Sequence, residues 1–116
     1  MDIKAQKKEL AVAAQIAPTD LQAIADAGYR SIICNRPDGE AGDQPGFSEI
    51  AQAAQTLGLQ VRHQPVVSGK VTDEQASAFG ALLTELPGPV LAYCRTGTRS
   101  ATLWALSQST RQPLPA

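Results

Sequence analysis

The sequence holds few of the residues on which metal sites and covalent scaffolds depend. Its 116 residues include two cysteines, Cys34 and Cys94, and a single histidine, His63. Two cysteines with no CxxC spacing and no Cys/His cluster exclude a disulfide framework and a thiolate metal site. His63 has no second ligand near it in the chain, so no metal is expected, and no motif asks for a cofactor. An excess of charge of one sign is also lacking: ten Lys and Arg against eleven Asp and Glu leave a net charge of -1. Without a basic excess there is nothing to neutralise a nucleic-acid backbone or to dock on an anionic bilayer, so neither nucleic acid nor membrane is an expected partner. Long apolar runs are missing too. The first twenty residues hold only a short apolar stretch interrupted by Gln15, Pro18 and Asp20, a poor secretory signal, and a cytoplasmic location is the default expectation.

What is present is the composition of an ordinary globular chain, 43% apolar and 18% charged. One domain over residues 1–116 is expected, with its core at about 9–107. The polar stretch 108–116, with Pro113 and Pro115, reads as a flexible tail.

Apolar patterning alternates between strand and helix. Leu10 to Ala13 reads as a first strand, and Pro18-Thr19-Asp20 caps a helix that ends at Gly28. The stretch Tyr29 to Asn35 carries a β-branched apolar run and reads as a second strand, ending in the turn Asn35-Arg36-Pro37-Asp38-Gly39. Phe47, Ile50, Ala51, Ala54 and Leu57 recur at helical spacing, and a strand from about Leu59 to Val67 follows. Thr72-Asp73-Glu74 starts a helix through Leu86. Val90 to Cys94 is an apolar run suited to a strand buried on both faces, with a last helix from Arg99 to Ser107. Such alternation predicts right-handed crossovers and a parallel sheet between two helical layers, with the ligand beyond the carboxyl ends of the strands.

Cys94 stands where the buried strand ends and the last helix begins, in Cys94-Arg95-Thr96-Gly97-Thr98-Arg99-Ser100. Backbone N–H groups at such a junction have no helical partner and favour an anion. Those donors, with Arg95 or Arg99, would favour the Cys94 thiolate, which makes Cys94 the candidate nucleophile and Arg99 its electrostatic partner. Gly97 lets the loop turn its N–H groups inward. Thr96, Thr98 and Ser100 add hydroxyls, and Ser100 is expected to bond the sulfur. An inert buried cysteine is the alternative for Cys94, and solvated helix-start charge is the alternative for one of the arginines.

At these residues the chain resembles two related families of cysteine enzymes, the rhodanese-type sulfurtransferases and the cysteine-dependent protein phosphatases. The stretches from Gln15-Ile16 to Asp20-Leu21, Asn35 to Glu40, His63 to Val66 and Tyr93 to Ser100 resemble one group in particular, the phosphatase-like domain of the beta-lactamase-hydrolase-like proteins. The resemblance implies a three-layer α/β/α sandwich of the protein-tyrosine-phosphatase type, with a four-stranded parallel sheet. It also implies a partner metallo-hydrolase domain, here encoded separately, and a link to sulfide metabolism.

Three departures from the phosphatase pattern point to sulfur. Four residues, not five, separate Cys94 from Arg99, a spacing that resembles the rhodanese loop, and Tyr93 stands where those phosphatases have histidine. The stretch after the preceding strand, Pro65 to Lys70, also lacks the Asp that protonates a leaving alkoxide. Asp73 and Asp38 are the candidate acids, with Glu40 a third carboxylate in reach; helix-start and turn roles are their alternatives. Sulfur transfer needs no such acid, because its leaving groups are stable anions.

The first expectation is therefore a sulfurtransferase in which Cys94 takes a sulfane sulfur as a persulfide and passes it to a thiol acceptor. The alternatives are a phosphatase with a Cys94 thiophosphate intermediate and a non-catalytic anion-binding module. In each case the partner is a small anionic sulfur or phosphate compound. Arg36 is expected to recruit it at the pocket rim. Cys34 is either a buried core residue or a redox partner of Cys94, and His63 is either structural or a base.

Overall fold

In a computed structural model of the chain, residues 3–7 and 9–111 are described. The elements follow the expected alternation. A strand β1 (Ile3–Lys7) is followed by β2 (Leu10–Ala13), a 3-10 turn (Pro18–Asp20), α1 (Leu21–Asp26), β3 (Ser31–Cys34), α2 (Phe47–Thr56), β4 (Gln60–His63), α3 (Asp73–Glu85), β5 (Val90–Tyr93) and α4 (Thr98–Arg111). Among the described residues no helix is long and apolar enough to cross a membrane.

The sheet runs β1-β2-β5-β3-β4. β2, β5, β3 and β4 are parallel, the four-stranded sheet expected, while β1 pairs antiparallel with β2 and adds a fifth strand at that edge. The polar Ile3–Lys7 segment carries no strand signal of its own, and its place comes from β2's open edge, which offers unpaired backbone groups. α4 also continues past Ser107 through Arg111, so residues 108–111 are helix and not tail. The rest of the expected tail, 112–116, lies outside the described residues.

Strand alternation divides the core. Ala11, Ala13, Ile32, Cys34, Leu91 and Tyr93 face one side, where Leu21 and Ile24 of α1 and Ile50 and Ala54 of α2 cover them. Leu10, Ile33, Val90 and Ala92 face the other, against Ala76 and Phe79 of α3 and Leu103 of α4. The central strand β5 is buried at every position, which explains its unbroken apolar run. Being central, it delivers the next residue, Cys94, into the crevice between its two neighbours.

Candidate active site at the end of the central strand

Both neighbours of β5 hold the start of the loop. The Cys94 N–H donates to the Ala13 carbonyl at 3.3 Å, the Gln15 N–H to the Arg95 carbonyl at 3.1 Å, and the Asn35 N–H to the Tyr93 carbonyl at 2.8 Å. Cys94 is fully buried, and its sulfur accepts the Gly97 N–H at 3.1 Å. Gly97 reaches that position at φ +93°, and a Cβ built there would lie 3.4 Å from the Ala13 carbonyl oxygen. The left-handed conformation is what favours glycine here, since a Cβ at that distance would make only ordinary contact with the end of β2. Thr96 donates its hydroxyl to that of Thr98 at 3.0 Å, and α4 then begins with the Ala101 N–H on the Gly97 carbonyl.

Arg99, in the first turn of α4, is buried and held from two directions. Its Nη1 donates to Glu40 Oε2 at 2.7 Å and to the Val66 carbonyl at 2.9 Å, and its Nη2 donates to Glu40 Oε1 at 2.9 Å. A guanidinium has five N–H donors, so three are taken. The two that remain, Nε–H and the second Nη2–H, form one edge of the planar group. The Arg99 pKa is raised, chiefly by the hydrogen bond to Glu40, with a smaller contribution from the Cys94 sulfur at the start of the same loop.

Glu40 is in turn gripped by a second guanidinium, Arg36 Nε at 2.9 Å. The hydrogen bond from Arg99 is the largest cause that holds the Glu40 carboxyl down at about 2; burial opposes it, and the Arg36 hydrogen bond and the charges of both guanidiniums add to the lowering. Glu40 is therefore ionised at any working pH and cannot donate a proton there. Arg36 completes the chain by donating Nη1 to Gln15 Oε1 at 2.9 Å. Its side chain is buried, so the expectation that Arg36 recruits substrate at the rim is corrected: its guanidinium is an internal strut beneath Glu40.

The Ser100 expectation is corrected as well. Its hydroxyl donates to Asn35 Oδ1 at 2.8 Å and so has no proton left for the sulfur. Asn35 passes the link on to the Gln64 carbonyl at 3.1 Å, and Gln64 to the Gln75 carbonyl at 2.8 Å, which ties the start of α4 to the ends of β3 and β4 and to α3. Of the expected acids, Asp38 accepts the Phe47 N–H at 2.8 Å and caps α2. Asp73 opens α3 beside its cap Thr72, is exposed, and has no hydrogen-bond partner among the described residues.

His63 and Cys34 both turn to structure. His63 Nε2 lies 3.0 Å from the Arg36 carbonyl and must carry the proton there, and its ring stacks on Phe47 with centroids 4.4 Å apart. The Cys34 thiol donates to the same Arg36 carbonyl at 3.3 Å; burial raises its pKa, and both cysteines are free. Tyr93 is buried in the same cluster as Cys34, and burial raises its pKa.

A cleft of about 620 Å³ is walled by Arg95 and Thr96 of the loop, by Thr98, Arg99, Thr102 and Leu106 of α4, and by Ser68, Gly69 and Val71 from the segment before α3. Sequence reasoning missed Gln15, the Val66 carbonyl and the clamp role of Glu40. Only the Arg36–Glu40 spacing of four residues hinted at a pair, because the other partners come from distant strand ends.

Known proteins place this geometry. The phosphatase-like domain of the beta-lactamase hydrolase-like proteins matches residues 2–111. Beta-lactamase hydrolase-like proteins of Xylella fastidiosa and Agrobacterium fabrum are 38% and 35% identical over 87% and 88% of this chain, and cover 23% and 24% of their own length. The chain thus spans about a quarter of the length of these curated relatives. A crystal structure of a candidate phosphatase from Neisseria meningitidis is 36% identical, with a TM-score of 0.89 over 97% of this chain and 81% of that one. The active form of Tk-PTP shares the fold at 21% identity, with a TM-score of 0.75 over 94% of this chain and 74% of that one. These similarities back the phosphatase alternative over the sulfurtransferase expectation, and the chain belongs to the family of beta-lactamase hydrolase-like phosphatase-like domains.

Proposed function

We propose that the chain is a cysteine-dependent hydrolase of phosphoric monoesters, with Cys94 as nucleophile and Arg99 as the group that binds the phosphoryl oxygens. The observation that carries this reading is the uncommitted Nε/Nη2 edge of Arg99, a residue of the cleft wall on the loop that Cys94 opens. Two parallel donors in one plane match two oxygens of a phosphate, whereas the single outer sulfur of a persulfide would use one of them. Glu40 and the Val66 carbonyl fix that edge before substrate arrives, so little reorganisation is left for the transition state.

In the first half-reaction the Cys94 thiolate attacks phosphorus; an S–P bond forms, the P–O bond to the leaving group breaks, and the leaving oxygen takes a proton. In the second, water attacks the cysteinyl phosphate, the S–P bond breaks, and inorganic phosphate and the thiolate are released. Of the three carboxyls expected from the sequence, Glu40 is locked as an anion and Asp38 holds the Phe47 N–H, which leaves Asp73, two residues after Val71 of the cleft wall, as the acid.

The test is hydrolysis of an aryl phosphate by the parent and by Cys94→Ser, run beside mass spectrometry after incubation with thiosulfate or polysulfide. Turnover that disappears in Cys94→Ser is the expected result. A persulfide of ~32 Da on Cys94 with no phosphate release would overturn it in favour of sulfur transfer.

A further inference from the structure

The two arginines of the loop differ in how their charge is met. Arg99 is neutralised by Glu40, which also meets Arg36. Arg95 is exposed and has neither an ion pair nor a side-chain hydrogen bond among the described residues, yet it lines the same cleft. The residues that wall this cleft include no Asp or Glu, Asp73 coming two residues after Val71, so the charge on the wall itself is that of Arg95 and of Arg99, the latter met by Glu40. Thr98 and Thr102, one helical turn apart, put hydroxyls on the wall next to Arg95. Leu106 and Val71 supply apolar surface to the same wall. At about 620 Å³ the cleft has the size of a small-molecule site.

We propose that Arg95 is the specificity-determining residue of a second anion subsite, and that the substrate is a small organic phosphate bearing a second anionic group. The reacting phosphoryl group would lie on the Arg99 edge, the second phosphate or carboxylate on Arg95 and the threonine hydroxyls, and the organic scaffold along Val71 and Leu106. This rests on the hydrolase reading above but is separable from it. A neutral leaving group would leave Arg95 without its charge-assisted bonds.

The experiment compares phenyl phosphate with the three isomeric phenylene bisphosphates, which place a second phosphate in three directions. The parent should prefer at least one bisphosphate by about tenfold in kcat/KM, chiefly through KM. Arg95→Gln should collapse that preference, while Arg30→Gln, an exposed charge at the opposite end of the strands, should keep it. No preference for any isomer, or a preference that survives Arg95→Gln, overturns the subsite. If no phosphate is hydrolysed, the hydrolase reading fails on its own. The subsite is then read by equilibrium binding of the same compounds to Cys94→Ser: tighter bisphosphate binding lost on adding Arg95→Gln supports it, and equal affinities for all four overturn it.

Discussion

Arg99 shows how a single side chain is given a direction. A lone guanidinium at a helix start would rotate through several rotamers and lose entropy on binding an anion. Here the carboxylate of Glu40 takes one end of the fork and the Val66 carbonyl a third donor, so the free edge is fixed by bonds of 2.7 to 2.9 Å. Arg99→Lys keeps the charge and can still meet Glu40, but an ammonium is a point charge without a second parallel donor. Aryl-phosphate kcat/KM should fall by about a hundredfold with the thermal midpoint nearly unchanged; an equal loss of stability would mean that Arg99 acts as a strut alone. Asp73 is tested through the leaving group. Replacing it by Asn should slow an alkyl phosphate, whose alkoxide needs a proton, far more than a nitrophenyl phosphate, whose phenolate does not. Equal slowing of both would remove Asp73 from the acid role.

At the scale of elements, the junction between β5 and α4 depends on a backbone shape that one residue type supplies. Gly97 at φ +93° aims its N–H at the Cys94 sulfur, and a Cβ built there would come 3.4 Å from the Ala13 carbonyl oxygen. Gly97→Ala should cost about 1–2 kcal/mol of stability from the left-handed conformation. It should also lower kcat more than KM rises, because the sulfur loses a donor; both are read by urea unfolding and steady-state kinetics, and wild-type kcat would contradict the assigned role of that N–H. The junction was legible in the sequence, since an apolar run, a Cys and a Gly-containing loop with arginines lie next to one another in the chain. The central strands and the helices over them were legible for the same reason, as each carries its own period. What the sequence concealed were partners set by topology. Arg36 looked like a rim cation because nothing local shows that Gln15, from the end of β2, meets it. Ser100 looked like a donor to the sulfur because nothing local shows that Asn35, from the end of β3, lies closer. β1 escaped because its pairing depends on β2's edge and not on its own residues.

Across the whole molecule, the Gln15–Arg36–Glu40–Arg99–Val66 chain joins the ends of β2, β3 and β4 to α4 through one carboxylate between two buried guanidiniums. That carboxylate makes folding sensitive to acid in a definite direction. Glu40 ionises at about 2 in the folded chain and at ~4.3 when unfolded, so between these values the unfolded chain binds more protons. Its contribution is complete above ~4.3 and is lost as pH falls through that window toward about 2. Because the Glu40 side chain keeps a quarter of its surface, solvent screening makes the effect smaller than the shift alone would suggest. Glu40→Gln removes the titrating group and leaves two buried guanidiniums without a counter-charge. Urea midpoints of parent and variant should therefore be well separated and parallel from pH 6 to 8, then converge on acidification, because the parent alone loses the charge that the variant never had. Other carboxylates titrate in both proteins and cancel in the difference. A gap that stays constant down to pH 3, or widens, would mean that the Arg99 clamp is not held by the charge of Glu40.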